Sequence, residues 1–197
     1  MALTVVEDHR ELLEPVVAEL AAVSDWSSCW RPLDQPFGAE YANRVAAETG
    51  WRPVPPVQVL SGQPLRSMRF TLASGRHVVA APAAVRPALS WVWAAELDKD
   101  AGLAKEAAAE ALVNDGRMAA RQALDDIAGR LATQLGRPGE PTWVTPDDDP
   151  RMSHPGFVVS WPRHRAVVQL DVWEDGGYLA EPWTWEVHLW VRPEAAR

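Results

Sequence analysis

The sequence predicts an α+β protein in which helices pack on one face of an antiparallel β-sheet. Three observations predict it. Apolar residues recur at helical spacing near the N-terminus and again over Arg117–Leu135. They switch to strict alternation around Met68 and throughout the segment that begins at Phe157. Glycines and prolines punctuate the joins. The chain of 197 residues fits one domain, 1–197, since domains run to roughly 100–200 residues. Its 47% hydrophobic content is that of a globular protein and excludes wholesale disorder.

Over residues 8–23, Leu12, Leu13, Val16, Val17 and Leu20 form one helical stripe, with Glu11, Glu14 and Glu19 outside it. Pro15 requires this helix either to begin near Glu14 or to kink there. A second helix is predicted over Ala39–Thr49, ended by Gly50. Pro53, Pro55 and Pro56 then impose extended chain. Met68, Phe70 and Leu72 alternate with polar residues as a half-buried strand, and Ser74-Gly75 turns it into a hairpin over Arg76–Ala81. Ala84–Leu135 reads as helical with a break at Asn114-Asp115-Gly116, and Gly136 and Pro138 stop it. Three alternating runs, Phe157–Trp161, Ala166–Trp173 and Trp183–Arg192, predict an antiparallel meander with one buried face. Turns are expected at Pro162–Arg165 and at Glu174–Glu181, which holds Gly176-Gly177.

Helix, glycine and strand recur in two places. Gly50 precedes the Phe70 strand by 20 residues and Gly136 precedes the Phe157 strand by 21, and each strand is followed by a Val-Val strand. This is compatible with two pseudo-repeated α-β-β halves, 1–100 and 101–197. Coincidence among common elements explains it equally well.

Lys and Arg number 19 against 27 Asp and Glu, a net charge of −8. That balance argues against nucleic-acid and anionic-membrane partners, which need a dense cationic face. A single cysteine, Cys29, permits neither an intrachain disulfide nor a thiolate cluster, and favours a reducing compartment. Charged residues at Glu7–Arg10 stand where an export signal would be apolar, so a cytoplasmic location is expected.

Little in the chain carries recognisable chemistry. Cys29 is flanked by Trp26 and Trp30 and reads as a packing residue. The sequence contains no nucleophile elbow, phosphate loop or dinucleotide fingerprint. Asp147-Asp148-Asp149 before His154 has the oxygen donors of a hard-cation site but reads as a stiff solvated loop between prolines. The histidines His9, His77, His154, His164 and His188 show no paired helical spacing. His77 reads as a hydrogen-bonded residue at the core edge. Asp171 and Glu186 share the non-core face of adjacent strands and would suit hydrolysis, but read as exposed ordinary carboxylates. A turn centred on residues 177–178 would set Asp171 opposite Thr184 and Gln169 opposite Glu186. No catalytic residue, metal or cofactor is therefore expected.

The strongest signal is a surface. Eleven tryptophans accompany two tyrosines and three phenylalanines. By strand parity Trp161, Trp183 and Trp185 are core, whereas Trp173 and Trp190 lie on the opposite face with Gln169, Asp171, Thr184, Glu186 and His188. Between Ala166 and Val191 five acidic residues occur without a Lys or Arg: Asp171, Glu174, Asp175, Glu181 and Glu186. Aromatics ringed by polar groups fit the anatomy of a binding hot spot. The competing reading places a helix over this face as a second core layer, which the charges Asp171 and Glu186 disfavour.

The C-terminal run Leu135-Gly-Arg-Pro-Gly-Glu-Pro, with Gly156-Phe-Val-Val-Ser-Trp and Ala166-Val-Val-Gln-Leu, resembles a layout seen in small acidic actinobacterial proteins. Some of these look like immunity proteins of toxin systems, and the helix-then-sheet order is similar to secretion-chaperone-like folds. The resemblance rests on no catalytic motif, and the tryptophan excess departs from it. It implies a non-catalytic protein-binding module, an immunity-type inhibitor or chaperone-like adaptor. On that expectation Trp173 and Trp190 anchor a protein partner with a basic surface, Asp171, Glu186, Glu174 and Asp175 steer it, and His188 lies among them. A homodimer is left open. The alternative is a small-molecule binder or enzyme with a Trp-lined pocket between the sheet and the Arg117–Leu135 helix.

Overall fold

The computed structural model describes residues 3–30, 37–55, 67–81, 84–95, 104–145, 156–175 and 183–194. The Asp147–Asp149 loop, His154 and the Gly176–Glu181 turn lie outside them. An edge strand β1 (Leu3–Asp8) precedes α1 (Leu13–Ala21). Pro15 falls in the first turn of α1, where no intrahelical N–H is required, so it starts the helix without kinking it. Leu13, Val16, Val17 and Leu20 form its buried stripe. Helix α2 (Ala39–Thr49) ends as expected at Gly50, whose φ of 73° only glycine adopts without strain. The strands β2 (Arg52–Pro53), β3 (Met68–Thr71) and β4 (His77–Ala81) follow, the last two as the expected hairpin.

The next segment corrects the sequence reading. Residues 84–95 are not helical but form β5 (Ala84–Pro87) and β6 (Ser90–Ala95). Val85, Trp91, Val92 and Trp93 are strand formers that pack well on a pleated surface, and they outweigh the alanine content. Nor is there a break at Asn114–Gly116, because α3 runs unbroken over Ala104–Leu135. Gly116 serves packing instead: a Cβ there would stand 2.5 Å from the ring carbons of Trp185. The chain closes with β7 (Thr142–Val144), β8 (Gly156–Arg163), β9 (Ala166–Asp175) and β10 (Trp183–Pro193).

The ten strands make one antiparallel sheet in the order β2-β3-β4-β5-β10-β9-β8-β7, with β6 also pairing β10 and β1 pairing β6. Two four-strand meanders, β2–β5 and β7–β10, therefore meet at β5 and β10. Each follows a helix that ends in a left-handed glycine, Gly50 or Gly136.

The helices lie on one side of the sheet. Leu124, Ile127 and Leu131 of α3 join Leu13 and Val17 of α1 in a core with Val159, Trp161, Leu170, Leu189 and Trp91. Tyr41 of α2 meets Phe70 of β3 edge-on. Trp161 and Trp185 are fully buried, as parity required, while Trp183 is half-buried and stacks on Trp185. Three polar ties hold the helices, the first and last to strand ends or turns of the sheet and the second to each other. Glu19 accepts the backbone N–H groups of Ala73 and Ser74, Glu14 pairs with Arg130, and Trp161 donates to the carbonyl of Gly136 at 2.9 Å.

Two glycines of α3 thus predict opposite outcomes. Gly116→Ala should destabilise by about 1–3 kcal/mol despite its better helix propensity, because the added methyl overlaps the buried Trp185 ring, which must shift. Gly129→Ala, where the added methyl meets open space, should stabilise by about 0.5–1 kcal/mol. Urea unfolding of the two variants beside the parent chain measures both.

Candidate functional site

The side of the sheet opposite the helices is where the sequence placed its surface. Among the described residues no helix packs against it. The β9–β10 register differs from the expected one: Asp171 lies opposite His188, Trp173 opposite Glu186 and Gln169 opposite Trp190. The pairing is centred between residues 179 and 180, two residues further along the chain than expected. The parity is unchanged, because a slip by an even number of residues keeps every side chain on its own face.

This register brings five of the seven expected residues together. Trp173 and Trp190 stack with ring centroids 6.3 Å apart, and both present an edge to the His188 ring. Asp171 sits beneath them and is fully buried, not the exposed carboxylate expected. Its Oδ1 accepts the indole N–H of Trp190 at 3.0 Å, and Arg192 donates to its Oδ2 at 3.4 Å. Burial pushes the Asp171 carboxyl up, against Arg192, His188 and the two indoles, which favour its charged form. His188, 2% exposed, has Nδ1 4.0 Å from Asp171 and Nε2 2.9 Å from Glu186. The bond to His188 holds the Glu186 carboxyl below its usual range. Arg86 of β5 and Arg192 both lie over the Trp190 ring, 5.2 and 5.1 Å from its centroid.

The remaining two residues stand apart. Glu174 points to the helix side, where Arg117 of α3 donates to it at 2.6 and 2.8 Å, so it is corrected from the open face to the helix face. Asp175 keeps the open-face parity but lies exposed at the strand end, opposite Thr184.

Ser90, His188 and Asp171 are cross-strand neighbours in one row over β6, β10 and β9. Their types suggest a nucleophile, base and orienter, but the Ser90 hydroxyl donates to Glu7 and the His188 Nε2 faces Glu186. Cys29 is likewise unfit as a nucleophile: buried, its thiol is pushed up to about 12. His77 is half-buried, its Nδ1 3.2 Å from the Thr71 hydroxyl. Among the described residues no group of three or more His, Cys, Asp or Glu is placed to hold a metal ion.

Two cavities flank the cluster's strands. The Trp-lined pocket expected between sheet and helix exists, bounded by Arg117, Trp143, Phe157 and Trp185, but holds only about 80 Å³. An open groove of about 460 Å³ lies on the other side, beside Trp190. Its walls include Val79, Ala81, Ala84 and Leu89, and its polar lining is Glu7, His9, Arg86 and Ser90. Sequence reasoning missed this groove because it read residues 84–95 as helix. Arg192, by contrast, was legible, since it shares the parity of His188 and Trp190.

Compared with known proteins, the chain matches no family model, no curated protein and no solved structure.

The cluster makes two predictions. Asp171→Ala leaves the Trp190 indole and Arg192 facing a methyl group and should cost about 3–5 kcal/mol, as breaking a buried ion pair does. Asp171→Asn, which keeps an acceptor for Trp190, should cost less; urea unfolding separates them. Because the Glu186 carboxyl is lowered, its contribution is present above the ordinary carboxylate range and lost as pH falls through its folded value. Glu186→Gln should therefore flatten the acid limb of stability between about pH 5 and 3, by under about 1 kcal/mol because the pair is partly screened. Urea midpoints across that range check it.

Proposed function

We propose that the protein is a non-catalytic binding module that docks a partner protein on the open face of its sheet, with Trp173 and Trp190 as the apolar anchors. The observation that carries this reading is the stacked, half-buried indole pair on a face that no described helix covers. The rings are backed by the buried polar groups Gln169, Asp171, His188 and Arg192 and bordered by the partly accessible Glu186, and large aromatic rings held in place in this way suit the anchors of a binding hot spot. The bond from Trp190 to buried Asp171 holds one ring in place before any partner arrives, so less side-chain freedom is lost on association.

The partner we propose has a basic surface, but the steering groups are fewer than the sequence suggested. Asp171 is matched by Arg192 and Glu174 by Arg117, which leaves Asp175 and Glu186, with Glu7 on β1, to act with the net charge of −8. Their effect falls on the association rate more than on affinity. An immunity-type inhibitor or a chaperone-like adaptor is the kind of module we propose. The pocket between sheet and α3 is less suited to a ligand, since drug-sized sites run to roughly 300–1,000 Å³.

Capture from a lysate of the source organism by immobilised parent chain, Trp173→Ala, Trp190→Ala and Trp143→Ala tests the reading. Trp143 is exposed elsewhere and serves as the control. The parent and Trp143→Ala should retain the same protein, in decreasing amount as salt rises, and the other two should lose at least about 2 kcal/mol of binding. Equal retention by all four folded chains removes this face as the docking site.

A further inference from the structure

We propose that the groove beside Trp190 binds a carboxylate carried on an apolar body, with the Arg86 guanidinium as its anchor. The groove's volume, about 460 Å³, lies in the range of small-molecule sites, and much of its wall is apolar: Val79, Ala81, Ala84 and Leu89. Arg86 is half-buried and stacked on Trp190, yet no hydrogen bond or ion pair engages its guanidinium among the described residues. Glu186, whose carboxylate feels the Arg86 charge, already meets the imidazole of His188 at 2.9 Å. A planar guanidinium fork matches the two oxygens of a carboxylate.

His9 supplies a second donor. Its Nδ1 accepts the Ser90 backbone N–H at 3.2 Å, which places the ring proton on Nε2. The opposing charge is Glu7, an exposed residue that accepts the Ser90 hydroxyl. One fork and one neutral donor suit a single negative charge, whereas a phosphate dianion would face Glu7 with one arginine among the described lining residues to hold it. An ammonium ligand would meet Arg86 directly.

The test titrates the full chain with octanoate and octanamide, and with an acetylated tripeptide ending in leucine as its free acid and as its amide. Calorimetry and tryptophan fluorescence follow binding. At least one acid should bind saturably and its amide about tenfold more weakly or not at all. The tighter of the two acids identifies the source, a free carboxylate or a chain end. Arg86→Met should weaken the acid by about tenfold or more, and Glu7→Gln, at an exposed position, should tighten it a few-fold. Trp173 does not line the groove, so Trp173→Ala should leave carboxylate binding intact even where it abolishes partner capture. The proposal is overturned if neither acid binds at about 10 mM, if amide and acid bind alike, or if Arg86→Met binds the acid as the parent does.

Discussion

The alternation of β10 is the constraint on which the rest of the molecule depends. Ten of its residues pair with β9 on one edge, and its other edge is shared by β5 and β6. Trp185, Val187, Leu189 and Val191 point to the helices and are fully buried. Glu186, His188, Trp190 and Arg192 point the other way and supply most of the open-face cluster. A slip by one residue would exchange the two sets, exposing the core and burying the charges. That error is costly enough to fix the register of the sheet's centre, and the core and the cluster are therefore specified together.

Helix α3 meets this strand through small residues. Gly116 and Ala120 lie against Trp185, so the helix axis comes close to the indole, and Ala123 and Ala128 are buried in the main core further along. The same composition makes α3 hard to delimit from sequence. Small residues weaken the apolar stripe, and Asn114-Asp115-Gly116 has the local preference of a turn. Tertiary packing wins here because the glycine's cost in a helix, about 1 kcal/mol, is less than that of displacing a buried indole. The strands at 84–95 escaped for a related reason. Their alternation is interrupted between Pro87 and Ser90, and alanines flank the Val and Trp residues that form the pleat.

The helices over Ala39–Thr49 and the end of α3, the β3–β4 hairpin and the three C-terminal strands were legible because each has a clean period and a glycine or turn at its limit. The open-face membership of Trp173, Trp190, Asp171, Glu186 and His188 was legible from parity alone. The same parity excludes Glu174, since consecutive residues of a strand cannot share a face. What parity could not give was burial. Asp171 is enclosed by groups from the neighbouring strand, and which of them it meets depends on the length of the connection between β9 and β10. Nor does the charge of a segment predict the charge of a surface. The stretch 166–191 carries no cation, yet Arg192, Arg86 and Arg117 arrive from beyond it and stand beside its acids or its indoles.

The groove has its origin in the same strand pairing. Val191 pairs with Val85, and three residues earlier His188 pairs with Ser90, so β5–β6 spans five residues where β10 spans three. The two surplus residues fall within Arg86–Leu89 and interrupt the ladder there, a device that bends a strand. On its outer edge β4 pairs with the first half and β1 with the second, and neither crosses the interruption. The backbone there is still satisfied: Ala88 donates to the carbonyl of His77 and Ser90 to the ring of His9. With no backbone donor left unmet at these two positions, the gap between β1 and β4 is lined by side chains and can remain open. Arg86 sits at the start of that interruption, opposite Trp190, where the indole supports the guanidinium but cannot accept its hydrogen bonds. A position that a continuous ladder would have closed is thereby left with a guanidinium that, among the described residues, stacks on Trp190 without a hydrogen-bond acceptor, beside a largely apolar wall.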